Sequence, residues 1–405
     1  MKPTPILAGL AVLVLLGGGL WAGLSGFGAG AAAPEVEQGP TLPPRPPVTV
    51  VQSLPRLQAT LEDMAGRGRF TGGVLVARGD QVLFRQVYGM ADREAGRPFT
   101  LETPFRLASV SKMFTAAALL RLQDEGVLSV DDPVCQWIKP CPEAWADIRV
   151  GHLISHQSGI PDLMQRPGWG IRRTTPATLD ELTFDSSQYR LEFEPGTDLR
   201  YNNAGFNLAA AVVESATGQD FHSWLSQTFF QPLGMTRTGY DAVPGLAMGY
   251  ADFPAGITPQ PEANVSIIPG AGALSSTLDD LLAWEWALHR GGLLSDRSYA
   301  AMIADHAPLD TPDERRGGPR RLWGYGLFSR SLGHQVEPAF EDRQIYHTGS
   351  WSGFRNMVVW QPDAEIVVIV LSNNYHRREE VFLISQQALA EALGRAYPER
   401  MAPRD

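Results

Sequence analysis

The sequence predicts an α/β domain in which strands from both ends of the chain form one sheet flanked by helices, with a mainly helical region inserted between them. Three observations carry this. Gly73–Tyr88 holds two apolar runs, Val-Leu-Val-Ala and Val-Leu-Phe, on either side of Gly79-Asp80, which is the pattern of a hairpin. The stretch from about Gly126 to Arg290 reads as helices and long turns. After Arg320 strand patterns return, at Trp323–Arg330, Arg343–Thr348, Phe354–Trp360 and Ile366–Ser372.

The elements follow in chain order. Lys2 supplies a positive start, no charge follows until Glu35, and Ile6 to Leu16 is unbroken apolar sequence. Two readings of residues 1–33 stay open. The short apolar core and the Ala-x-Ala steps at Ala29–Ala31 and Ala31–Ala33 fit a cleavable signal peptide. The run from Ile6 to Ala33 is also long enough to anchor in a membrane. Either way the bulk of the chain is expected to be exported, periplasmic or extracellular, with membrane tethering as the second case. Pro34 to Pro47 holds six prolines in fourteen residues and reads as a semi-rigid linker within residues 34–53.

Leu54 to Arg67 has the period of an amphipathic helix. Ser109 to Asp124 is a mostly apolar helix with Gly126 placed to end it, so it is expected at the centre of the domain. Asn207–Thr217, Phe221–Phe230 and Leu278–His289 share the helical period, and Arg377–Leu393 closes the domain as a helix. The domain is expected over residues 54–396, with an insertion at roughly 126–290 and a tail at 397–405.

Composition excludes some classes. The net charge is −10 and no basic block stands out, which argues against nucleic acid as a partner. The two cysteines, Cys135 and Cys141, lie close together; in an exported protein a small disulfide loop is the first expectation, with two free thiols as the alternative. Nothing in the sequence calls for an obligate protein partner.

The chemistry is concentrated in three short elements. Ser109 and Lys112 form Ser-x-x-Lys at the start of a helix, where residues three apart share a face. A serine is a poor nucleophile unless a neighbouring base takes its proton. Only three of the 34 basic residues are lysines (Lys2, Lys112, Lys139). A desolvated lysine can lose its proton, whereas arginine cannot. Tyr201-Asn202-Asn203 precedes a helix that begins near Ala204. His347-Thr348-Gly349 ends a strand and is followed by Ser350.

With these three elements, in this order, the chain resembles the serine β-lactamase and penicillin-binding family, and most resembles class C β-lactamases, D-alanyl-D-alanine carboxypeptidases and related esterases. The likeness spans roughly Leu54 to Gly394. It includes Ile154-Ser-His-Gln-Ser-Gly-Ile-Pro-Asp162, Glu194-Pro-Gly-Thr197 and Pro269-Gly-Ala-Gly-Ala-Leu-Ser-Ser-Thr277. The resemblance implies a β-lactamase/transpeptidase-like α/β fold with an antiparallel sheet. It implies a serine hydrolase that needs no metal or organic cofactor and acts on a small-molecule or peptide acyl substrate: a D-amino peptide, an ester or a β-lactam.

Roles follow from the resemblance. Ser109 would attack the acyl carbonyl and form an acyl-enzyme. Lys112 would accept the serine proton or hold Tyr201 as an anion, its ammonium lowering the phenol pKa. Tyr201 would act as base in acylation and activate water in deacylation. Asn203 would bond the substrate's acyl-side amide and help fix Lys112. The backbone N–H groups of Ser109 and Ser350 would form the oxyanion hole, with Gly349 beside them. His347 departs from the family's common Lys-Thr-Gly: a mostly neutral imidazole replaces a permanent cation, and it could donate a hydrogen bond to Tyr201 or to a carboxylate. The competing reading is a catalytically weak protein that binds penicillin or cell-wall peptides without turnover. His152 and His156 lie four apart, as zinc ligands can, but without a third ligand they read as packing residues.

Overall fold

The structure is a computed structural model that describes residues 54–403, except 242, 262, 263, 309, 312, 313 and 319, together with 42, 50 and 51. The chain divides into two units, 1–37 and 38–405. The expected leader or anchor, and nearly all of the linker, lie outside the described residues.

The first helix, α1 (Pro55–Gly66), buries Leu57, Leu61 and Met64 on one stripe. The hairpin follows as β1 (Gly72–Arg78) and β2 (Gln81–Tyr88), turning at Gly79 with φ +51°. A 3₁₀ turn over Ala108–Ser111 leads into α2 (Lys112–Asp124), which is buried from Lys112 through Leu120. Gly126, at φ +70°, ends it: the N–H of Val127 returns to the Leu122 carbonyl at 2.9 Å. Next come α3 (Asn203–Thr217), α4 (Leu278–His289) and α5 (Asp296–Ile303). Then β3 (Leu322–Trp323), β4 (Phe328–Ser331), β5 (Arg343–Trp351), β6 (Phe354–Gln361), β7 (Ile366–Ser372) and α6 (Arg378–Leu393) complete the domain.

One seven-stranded sheet runs in the order β3-β4-β5-β6-β7-β1-β2, and every neighbouring pair is antiparallel. The first and last parts of the chain therefore meet at β1–β7, where Val74 lies opposite Val370. The strand period of two splits the apolar side chains between two cores. Val367, Ile369 and Leu371 of β7 face the helical layer built on α2, α3 and α4. Ile366, Val368 and Val370 face α1 and α6. Both faces are covered, so β7 reads as continuous apolar sequence rather than as an alternation.

Three expectations differ from this architecture. Trp323–Arg330 is not one strand but the two short strands β3 and β4, joined by a turn. Gly326 takes φ +67° there, and a Cβ on Gly324 would lie 2.3 Å from the Met302 carbonyl oxygen. The inserted region is not only helices and turns: Gly239–Tyr240, Tyr250–Phe253, Gly256–Pro259 and Leu274–Ser276 form small strands. They are too short for a periodic pattern to mark them. The expected tail is tied down, with Arg400–Met401 paired to Val336–Glu337. Cys135 and Cys141 are joined by a disulfide.

Candidate active site

Ser109 sits in the 3₁₀ turn, and Lys112 opens α2 one turn later. In a 3₁₀ turn side chains three apart eclipse, which aligns the two more closely than an α-helix would. Ala108, just before Ser109, is held at φ +51°, an unfavourable value for a residue with a Cβ. Lys112 is fully buried, and its Nζ lies 3.2 Å from Ser109 Oγ. It donates to Asn203 Oδ1 at 2.8 Å and to the Ala271 carbonyl at 2.8 Å. Burial pulls its pKa down to about 7, against a smaller upward pull from Asp162.

Asn203 heads α3. Its Nδ2 donates to Asp162 Oδ2 at 2.9 Å and lies 3.0 Å from Met164 Sδ. Its amide is thus engaged by the protein on both ends. In this state it positions Lys112, and bonding a substrate amide would mean displacing Met164. The Ala271 carbonyl comes from the short helix Pro269–Gly272, which packs on α3 so closely that a Cβ on Gly270 would lie 2.0 Å from the Phe206 carbonyl oxygen.

Tyr201 lines the same cavity as Ser109, and its ring stacks on His156 at 4.6 Å between centroids. Lys112 Nζ lies over the ring, 4.9 Å from its centre. The expected lowering of the phenol pKa does not occur. Burial is the largest influence and pushes it well above the ordinary value; the Ser109 hydroxyl opposes this only in part. In the resting site Tyr201 is a neutral phenol.

His347 is buried in β5, stacked on Phe328 with centroids 5.1 Å apart. Its Nδ1 lies 2.7 Å from the Thr348 carbonyl. A carbonyl only accepts, so Nδ1 carries the proton. Burial and the Lys112 charge bring the imidazole pKa down to about 3. The ring is therefore neutral, with an unprotonated Nε2 that has no hydrogen-bond partner. This reverses the expected role: Nε2 can accept a hydrogen bond but cannot donate one to a carboxylate. Gly349 lets β5 approach the Ser109 turn, since a Cβ there would lie 2.2 Å from the Leu107 carbonyl oxygen.

Ser109, Tyr201, Asn203, His347 and Ser350 line one cavity of about 430 Å³, with Lys112 just behind its wall and Gly349 beside it in β5. Ser350 lies within β5, not beyond it. Sequence reasoning missed several neighbours. Asp162 and Ala271 lay inside the family-like stretches but carried no signal of their own. Arg321, Trp323, Phe328 and Trp351 also line the cavity, and only Trp351 had a pointer, its place after His-Thr-Gly-Ser. His156 does pack, as expected, but against Tyr201 and with its Nδ1 accepting from the Asn202 N–H at 3.0 Å; His152 does not join it. Among the described residues no three His, Cys, Asp or Glu side chains are grouped to hold a metal ion.

Residues 57–392 match the family described as Beta-lactamase. The chain belongs to the β-lactamase family. A penicillin-binding protein of Bacillus subtilis is 28% identical over 85% of this chain and 78% of its own length. An esterase of Burkholderia gladioli is 33% identical over 68% of this chain and 79% of its own. Among solved structures, the octameric penicillin-binding protein homologue of Pyrococcus abyssi superposes with a TM-score of 0.71 at 25% identity, covering 84% of this chain and 78% of that one. This β-lactamase-family chain is a serine hydrolase with the family's α/β fold. Among its described residues no helix is long and apolar enough to cross a membrane.

Proposed function

We propose that the protein is an exported hydrolase that transfers an acyl group from an ester or amide to Ser109 and then to water. The observation that carries this is the buried Lys112 amine, with a pKa near 7, 3.2 Å from Ser109 Oγ. A neutral amine there takes the serine proton as Oγ attacks the carbonyl. The N–H groups of Ser109 and Ser350 receive the developing oxyanion. Tyr201, a neutral phenol, hands its proton to the departing alcohol or amine and regains one from the Lys112 ammonium. Deacylation reverses the order: water loses a proton into the Tyr201–Lys112 pair and Ser109 leaves protonated. Asn203, held by Asp162, keeps Lys112 in place. The Cys135–Cys141 disulfide and the charge-free stretch after Lys2 support export.

Intact-mass measurement tests the reading. The protein is incubated with p-nitrophenyl acetate, a fluorophosphonate and a fluorescent penicillin. One adduct on Ser109 is expected, absent in Ser109→Ala, and the acetyl adduct should turn over. A wild-type protein that gains no adduct from any of the three overturns the reading. A penicillin adduct that persists while esters are not hydrolysed favours a binding protein.

A further inference from the structure

The strand period places Tyr346 and Thr348 of β5 on the sheet face opposite His347. A second cavity, of about 710 Å³, opens on that side. It shares Arg321, Phe328 and Thr348 with the cavity around Ser109, so the two adjoin there.

Its wall is unlike the rest of this acidic protein. Arg330 of β4, Arg355 of β6 and Arg378 at the start of α6 all line it, and Glu379 is the only carboxylate among its described lining residues. Many arginines elsewhere are tied to carboxylates: Arg85 to Asp279 at 2.8 Å, Arg121 to Glu125 at 2.6 Å, Arg395 to Asp342 at 2.9 Å. Here they are not. Arg330 Nε is buried without a hydrogen-bond partner. Arg355 gives its N–H groups to the Tyr375 carbonyl at 3.3 Å and stacks on that ring, partners that leave its charge uncompensated. Its pKa is lowered, first by burial and further by the Arg378 charge. Arg355 and Arg378 are close enough for their charges to act on each other, three guanidinium groups face one carboxylate among the described lining residues, and a planar fork of N–H donors suits phosphate oxygens. The volume is far more than a single carboxylate needs.

We propose that this cavity binds a phosphate-type oxyanion carried by the substrate whose acyl bond reacts at Ser109. The claim rests on the acyl-transfer reading above for the reaction but not for the anion site. Two measurements keep them apart. Calorimetry with inorganic pyrophosphate should show binding to the wild type, weakened about tenfold or more in Arg330→Gln and in Arg378→Gln, since one charged hydrogen bond accounts for at least that much. Kinetics should compare esters bearing a phosphate on the alcohol or on the acyl part with their uncharged counterparts. A tenfold or greater preference for the phosphorylated member of one pair is expected, lost in both variants while hydrolysis of the uncharged esters is kept. Absence of pyrophosphate binding, or equal kcat/KM within both pairs, overturns the proposal. Pyrophosphate binding without turnover of any ester upholds the anion site and overturns the acyl-transfer reading instead.

Discussion

Lys112 and Glu285 are both buried in the helical layer, at 0% and 2% exposure, yet their surroundings treat them differently. Lys112 touches only neutral acceptors: a hydroxyl, an amide oxygen and a carbonyl. Its carboxylate, Asp162, is one residue removed, behind Asn203. Burial therefore wins and the amine is poised between its two forms. Glu285 lies 3.3 Å from His289 Nε2, one turn along α4. The other imidazole nitrogen meets the Tyr299 hydroxyl at 2.8 Å, and the ring lies flat on Trp360, 5.0 Å away. A carboxylate held directly against an imidazole is structural. A charge compensated at one remove, behind the wall of a cavity, can do chemistry.

The comparison is open to test, beginning with the reaction itself. Ser109→Ala should lower kcat by up to about 10⁶-fold, as loss of a serine nucleophile does in other hydrolases. Lys112→Ala should lower kcat/KM for p-nitrophenyl acetate by about 10²–10⁴-fold with a nearly unchanged thermal midpoint. Retention of more than a tenth of the activity would remove the lysine from the role of base. Glu285→Ala should do the converse. Leaving a buried hydrogen-bonding group without its partner costs about 1–3 kcal/mol, read by denaturant unfolding, while kcat per folded molecule stays the same.

A pH profile sharpens the contrast. Only the neutral amine accepts a proton, and its pKa is lowered to about 7. The value of kcat/KM should therefore rise about tenfold per pH unit on the acid side and flatten above about pH 7. A limb near pH 10 would mean that burial does not control Lys112. Smallest, Cys135→Ser should cost about 2 kcal/mol of stability and leave turnover intact, because the bridge closes only a short loop, six residues apart in sequence.

Much of the fold was legible. The α4 span follows from its period, and in the structure the Thr277 hydroxyl accepts from the Asp280 N–H at 3.2 Å and caps it. The β1–β2 hairpin and β7 were equally plain. The β3–β4 turn was not, because the Gly324 that breaks the strand is demanded by the Met302 carbonyl, a neighbour across the fold. In the site, Ser109 and Lys112 were legible because three residues on one helical turn is a local relation. Tyr201 was legible as a neighbour but not in its charge state, since burial among His156, Phe328 and Lys112 outweighs the influences of Ser109 and Arg321 that favour the anion.

The sequence by itself determined the Ser109–Lys112 pair, the order of the three motifs and the apolar runs that build the sheet. Each of these is set by spacing along the chain. Only the tertiary structure decided that Lys112 is near neutrality, that His347 accepts rather than donates, and that Arg330, Arg355 and Arg378 meet in one cavity. Charge state and hydrogen-bond direction depend on dielectric and on partners far apart in the chain. Lys112 takes its two closest acceptors from 91 and 159 residues away, and no local pattern records them.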